Sequence, residues 1–290
     1  MIKVKDIKKA FSENRVLNGV SFSVGRGEIY GLIGKNGAGK TTLMNIMSGL
    51  SSADSGSYSY EDVKDDNSKV RLKIGYLPDL PAFFDYLSVG EYLDYLLMNN
   101  NARKKDELLE LVDLNGKVRI ATMSRGMRQR LGIAAAMVHD PEVILLDEPT
   151  SALDPSGRAD VMRVLMELKK QGRSIVLSTH ILADMERVCD RVGFLSKGVI
   201  KQELRIKDLD RASDYIRVTF GGKEVDAGIF NRAGVEYELI EDNVYRFSIS
   251  DNYVNSQKAI WTALLNVDLP ITSIHNEPVN LEKVFQEICR

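Results

Sequence analysis

Gly34, Lys35, Asn36, Gly37, Ala38, Gly39, Lys40 and Thr41 fit the pattern G-x-x-x-x-G-K-[ST], and they directly follow an apolar, strand-like run at 28–33. Three glycines let the backbone wrap a phosphate chain closely, with successive N–H groups turned inward at the oxygens. Lys40 supplies a point charge for the β- and γ-phosphates, and the Thr41 hydroxyl can take a place on Mg²⁺. A helix starting near Lys40 adds the positive end of its dipole. These residues imply a site for a nucleoside triphosphate.

Further along, the apolar run Val143-Ile144-Leu145-Leu146 ends in Asp147 and Glu148. A buried strand ending there can deliver Asp147 to Mg²⁺, directly or through water. Glu148, one residue on, points elsewhere and can polarise an attacking water, provided it lies within hydrogen-bond reach. Ser124 opens Ser-Arg-Gly-Met-Arg-Gln-Arg at an N-cap position, an anion-ready arrangement that taken alone is an ordinary helix start. His180 follows an apolar strand, Ser178 and Thr179. A single histidine in such a place is more often structural than catalytic.

The elements that must hold these residues alternate. Strands are expected at 2–5, 20–24, 28–33, 73–77, 143–147, 174–178 and 191–196, and helices at 40–48, 89–98, 105–112, 125–138, 156–170 and 181–189. That alternation argues an α/β domain over about residues 1–205, and the continuous apolar runs at 143–146 and 175–177 suit central parallel strands. Residues 56–68, rich in Ser, Asp and Tyr, read as an exposed hairpin and loop. From 206 to 290 the pattern is strand 215–220, helix 225–232, strands 235–240 and 244–249 about an Asp242-Asn243 turn, helix 255–267, strand 271–273 and helix 281–288. The order βαββαβ fits a small ferredoxin-like α+β domain.

The 290 residues suit two domains, and 44% hydrophobic with 28% charged residues is an ordinary globular composition. A net charge of −2 gives no sign of nucleic acid as a partner. Cys189 and Cys289 lack metal-ligand spacing and are expected to be reduced, buried thiols. The start Met-Ile-Lys-Val-Lys-Asp lacks the apolar stretch of a signal peptide, and no apolar run is long enough to span a bilayer.

In these motifs, taken together and in this order, the chain resembles the ATP-binding cassette (ABC) family over roughly residues 1–205. The phosphate loop matches through Thr42. Ser124 to Arg130 resembles the family's signature, with Arg125 and Met127 in place of the commoner Gly and Gln. Asp147-Glu148-Pro149-Thr150 is similar to the second nucleotide motif, Ser151-Ala152-Leu153-Asp154 to the D-loop, and Ser178-Thr179-His180 to the switch-histidine loop. The resemblance implies a P-loop NTPase fold: a mixed β-sheet core with a helical lobe at about 80–135.

It also implies ATP and Mg²⁺ as ligands. Lys40, Glu148 and His180 would act at the γ-phosphate, and Thr41, Asp147 and Asp79 at the metal. Asp79 stands after Ile74-Gly75-Tyr76-Leu77-Pro78 where the family presents Gln; a carboxylate reaches Mg²⁺ through water but donates no hydrogen bond. Phe11 takes the place of the adenine-stacking aromatic, with Val16 nearby. In this family two cassettes pack head to tail, so Ser124 and Gly126 would cap a γ-phosphate held by the partner's loop.

The leading expectation is an ATPase subunit of an export-type membrane transporter. It would work as a homodimer on the inner face of the cell membrane, driving a separate permease chain. Phe83, Phe84, Tyr86, Tyr92 and Tyr95, in the helical lobe, are either core or part of an exposed apolar patch for that permease. The alternatives are a soluble cassette ATPase, for example in iron–sulfur assembly, and a nucleotide-binding regulatory module, which Glu148 argues against. The carboxyl-terminal segment could regulate turnover, bind a ligand or stabilise the dimer.

Overall fold

The computed structural model describes residues 2–60, 63–64, 74–98, 101–209, 215–222, 225–249, 253–277 and 280–288. The chain divides into two compact units, Met1–Ile206 and Lys207–Glu287.

The first unit opens with β1 (Ile2–Phe11), β2 (Asn14–Val24) and β3 (Ile29–Ile33), then α1 (Lys40–Met47), β4 (Ser55–Tyr60), β5 (Val63–Lys64) and β6 (Ile74–Leu77). Helices α2 (Val89–Leu96), α3 (Ala102–Val112) and α4 (Arg125–Ala136) build the helical lobe. The chain then runs β7 (Val143–Asp147), α5 (Pro155–Lys170), β8 (Ser174–Ser178), α6 (Leu182–Val188), β9 (Arg191–Ser196) and β10 (Val199–Arg205).

The central sheet has the order β10-β9-β3-β8-β7-β6. Strands β9, β3, β8, β7 and β6 are parallel, and β10 pairs antiparallel at one edge. Every residue of β3, β7 and β8 is buried, which is why their sequences are unbroken apolar runs rather than alternations. Removing each large aliphatic side chain from water there contributes about 1.5–3 kcal/mol. In register, Leu32 faces Ser178 and Asp147 faces Ser178 across neighbouring strands, while Leu77 faces Leu146. The carboxyl ends of β3, β8, β7 and β6 therefore stand side by side, and the loops leaving them share one edge.

A second, antiparallel sheet, β2-β1-β4-β5, lies on the same core. The hairpin expected at 56–68 is present, β4 pairing antiparallel with β5, but its expected exposure is corrected. Ser55–Tyr60 is a strand paired with β1, and Tyr58 and Tyr60 are buried on its inner face. Gly56, at φ +92°, permits that pairing, because a Cβ there would lie 2.3 Å from the Asp6 carbonyl oxygen. Residues 61–62 and 65–68 of that loop lie outside the described residues. Cys189 is a buried free thiol that burial pushes well up; Cys289 lies outside the described residues.

In the second unit, strands β11 (Tyr215–Phe220), β12 (Tyr237–Glu241), β13 (Val244–Ser248) and β14 (Ile271–Glu277) form the sheet β12-β13-β11-β14. All its neighbours are antiparallel, the strand order of a split βαββαβ unit. Helices Gly228–Arg232 and Tyr253–Leu265 follow its first and third strands. Asn243, at φ 59°, makes the turn between β12 and β13. Phe230 is buried in an aromatic nest with Phe220, Tyr237, Tyr245 and Phe247.

Candidate functional site

The loop from β3 to α1 begins at the buried Gly34 and rises through the exposed Lys35, Asn36 and Gly37. Ala38 N–H closes a turn on the Lys35 carbonyl at 3.0 Å. Gly39 caps α1 at φ 105°, and a Cβ there would meet Leu17 at 2.7 Å and Val16 at 3.2 Å. Only glycine fits this turn, and Val16 is thereby placed against the loop. Helices α2, α3, α4 and α5 are capped by the side chains of Ser88, Asn101, Ser124 and Asp154, but α1 has no side-chain cap and no acid in its first turn. Its leading N–H groups, from Lys40, Thr41 and Thr42, thus face an opening suited to an anion. A cleft of about 480 Å³ runs along the loop, lined by Arg15, Val16, Lys35, Asn36, Gly37 and Lys197 among others.

Lys40 is almost fully buried, its ammonium donating to the Gly34 carbonyl at 2.8 Å and lying 3.7 Å from Glu148 Oε1. The other Glu148 oxygen, Oε2, accepts from His180 Nδ1 at 2.9 Å. Glu148 itself sits at φ 51°, left-handed backbone that a non-glycine residue adopts at a cost of about 1–3 kcal/mol. Its N–H donates to the Ser178 carbonyl at 3.0 Å. One carboxylate thus bridges the phosphate-loop lysine and the histidine after β8.

Asp147, fully buried, accepts a hydrogen bond from the Ser178 hydroxyl at Oδ1, while Oδ2 is buried with no hydrogen-bond partner. Asp79 also holds a buried oxygen, Oδ1, with no partner. Burial, then the charges of Asp147 and Glu148, push the Asp79 carboxyl above the usual range, against the pull of Arg125 and His180. Two neighbouring carboxylates, each with an oxygen lacking a partner, fit a divalent cation or its waters. Among the described residues no group of three or more His, Cys, Asp or Glu side chains could hold an ion unaided. A cation here must share its ligands with phosphate and water, as Mg²⁺ commonly does.

Ser124 and Gly126 do not join this cluster. The Ser124 hydroxyl caps α4 by accepting Met127 N–H at 3.2 Å, and it is exposed, while the nearest neighbour of Gly126 is Gly157 on α5. Phe11 ends β1 with its ring 54% exposed, so it is not core filler. Two contacts escaped the sequence reading. Ser178 grips both strand-end acids, and the amide of Gln129, buried on α4, donates to the Asp79 carbonyl at 3.2 Å. Both follow from which strands and helices are neighbours, which only the register reveals.

Residues 17–151 match the family model described as ABC transporter. The chain is similar to the bacitracin transport ATP-binding protein BcrA of Enterococcus faecalis, 31% identical over 99% of this chain and 96% of that protein. It is also 37% identical to an uncharacterized ABC transporter ATP-binding protein of Synechocystis, sll0415, over 73% of this chain and 63% of the relative's length. Among solved structures, a dimeric post-hydrolysis state of the ATP-binding cassette MJ0796 bound to ADP and Pi superposes with a TM-score of 0.64 at 25% identity, covering 71% of this chain and 99% of that one. With its uncapped phosphate loop, paired strand-end acids and this likeness, the chain belongs to the ABC transporter ATP-binding proteins and is a cassette that binds and hydrolyses ATP.

Proposed function

We propose that this protein is the ATP-hydrolysing subunit of an export-type membrane transporter, acting as a pair of cassettes on the cytoplasmic face beneath a separate permease. The observation that carries the mechanism is Glu148, held between Lys40 and His180 at the carboxyl edge of the sheet. The loop N–H groups with those of Lys40, Thr41 and Thr42 leading α1, and the Lys40 ammonium, bind the triphosphate, and Phe11 with Val16 receives the base. Thr41 and Asp147 would hold Mg²⁺, with Asp79 reaching it through water; that ion would offset charge on the phosphate oxygens. Glu148 accepts the proton of the attacking water, and His180, released from Glu148, contacts the γ-phosphate. The rest of the catalysis is positioning and charge neutralisation.

The exposed Ser124 is free to cap the triphosphate of a second copy, in keeping with the dimeric solved cassette. Among the described residues no helix is long and apolar enough to cross a membrane, which supports a separate permease. Phe84, Tyr86 and Tyr95 stay 43%, 70% and 62% exposed with their rings in contact through Phe84, whereas Tyr92 is buried. That apolar patch on the helical lobe, and the likeness to a bacitracin transport protein, favour transport over the soluble alternative. The test is Glu148→Gln. Turnover should fall about 100- to 10,000-fold while ATP binding survives, with a dimer that forms on ATP by size exclusion. Hydrolysis at the parent rate would assign the base elsewhere.

A further inference from the structure

The ring proposed to receive the base is held from behind by a device outside the recognised motifs. Strands β1 and β2 slip register between Lys9 and Ala10, just before the two-residue turn that follows Phe11. The extra residue of that slip, Val16, belongs to β2; on its other edge β1 pairs with β4 only as far as Lys8 opposite Ser55, so the Ala10 N–H lies past the end of that ladder. Here the Ala10 N–H donates to Asp54 Oδ2 at 2.6 Å. The other oxygen, Oδ1, accepts from the Lys9 ammonium at 2.9 Å, and the Asp54 N–H returns to the Lys8 carbonyl at 2.9 Å. So fixed, the Lys9 ammonium lies 5.5 Å from the Phe11 ring centroid. The Lys9 side chain is largely covered, whereas Phe11 is exposed.

Resting on the reading that Phe11 receives the base, we infer that Lys9 and Asp54 are a positioning pair that aims the Phe11 ring and sets the base-dependent part of nucleotide affinity. Asp54 does two jobs with one carboxylate. It satisfies the Ala10 N–H left beyond the last β1–β4 pair, which fixes the end of β1 that delivers Phe11. It also restrains the long Lys9 side chain, so the cation need not give up its rotamer freedom when nucleotide arrives. An ammonium near the ring draws on its electrons, and a purine stacked on the open face then meets an electron-poor partner. The Lys9 hydrogen bond, followed by the Ala10 N–H, holds the Asp54 carboxyl below the usual range, so this carboxylate stays ionised at neutral pH.

The experiment compares ATP with inorganic tripolyphosphate, which has the phosphates but no base, by calorimetric titration with Mg²⁺ on the full chain. Lys9→Met and Asp54→Asn should each weaken ATP binding about two- to five-fold and leave tripolyphosphate unchanged. Lys9→Arg should restore ATP affinity, and Asp54→Asn should add nothing once Phe11→Ala is present. Equal losses for both ligands would reduce the pair to a strut of the sheet and overturn the inference. Phe11→Ala weakening ATP while Lys9→Met and Asp54→Asn do not would overturn it as well, with the stacking reading intact. An unchanged ATP affinity in Phe11→Ala would remove the stacking reading and this inference together.

Discussion

Ser178→Ala isolates the contact that organises the strand-end acids. In the native protein the Ser178 hydroxyl donates to the fully buried Asp147 at Oδ1, and Oδ2 already has no partner. Methyl in its place leaves a buried carboxylate short of a donor at both oxygens. A hydrogen bond to a charged group contributes about 1.5–3 kcal/mol, and stranding the charge makes the upper part of that range the better expectation. For a unit of this size each kcal/mol moves the melting midpoint by about 2–4 °C, so the transition of the nucleotide-binding unit should fall by roughly 3–12 °C. Ser178 also receives the Glu148 N–H on its side chain at 3.2 Å, and a displacement of about 1 Å in a catalytic group costs on the order of 100-fold in rate. Calorimetric melting and steady-state ATPase on the same samples read both effects. Ser178→Thr keeps a hydroxyl and should recover most of each. A melting shift under about 1 °C, with turnover untouched, would refute the claim that Ser178 holds these acids.

Two further expectations are independent of that contact. Lys40→Ala removes the ammonium that sits between the Gly34 carbonyl and Glu148, and should abolish tight ATP binding; unchanged affinity in a fluorescent-nucleotide titration would contradict the phosphate-loop assignment. Asp140→Asn tests how the helical lobe is tied down, since Asp140 accepts from Lys104 of α3 at 3.0 Å and from Arg173 before β8 at 2.7 Å. Burial alone would raise this carboxyl, but the two cations outweigh it and hold it below the usual range. A depressed folded pKa stabilises above the unfolded value, about 3.9, and that contribution disappears as pH falls through the folded value. The variant, whose Asn tolerates the left-handed φ of 52°, should therefore unfold at lower urea than the parent at pH 7, with the gap closing as pH falls below the unfolded value. A gap that persists in acid would mean that charge is not the cause.

Central strands were legible because their burial is written as composition. Residues 143–147, 174–178 and 191–196 are strands over those spans, each apolar enough to need cover on both faces. The hairpin at 56–68 was legible but its burial was not, because Ser and Gly disguise the strand Ser55–Tyr60; only Tyr58 and Tyr60, two apart on one face, carry the period. Val199–Arg205 escaped for a different reason. As the antiparallel edge strand it is largely exposed, and it is secured by pairing with β9 and by Glu203, which accepts from the buried Tyr30 hydroxyl at 2.8 Å and from Arg191 at 3.0 Å. The site was legible as a set of residues but not as a set of contacts. Lys40, Asp147, Glu148 and His180 are named by motif, whereas the grips of Ser178 and Gln129 exist only once strands and helices are neighbours.

The geometry of Glu148 shows what strand pattern alone could not supply. Successive residues of a strand point to opposite faces, so a straight continuation of β7 would send Glu148 away from whatever Asp147 serves. Both carboxylates are needed at one edge. The left-handed turn at Glu148 takes the chain off the sheet just after Asp147, with the Glu148 N–H tied to the Ser178 carbonyl. From there its side chain reaches the Lys40 ammonium on one side and the His180 ring on the other. The strain is local, and it is held by β8, a neighbour buried along its whole length. Relaxing it would cost the carboxylate its position between Lys40 and His180, and so the backbone conformation and the hydrolytic role proposed for Glu148 both depend on the same turn.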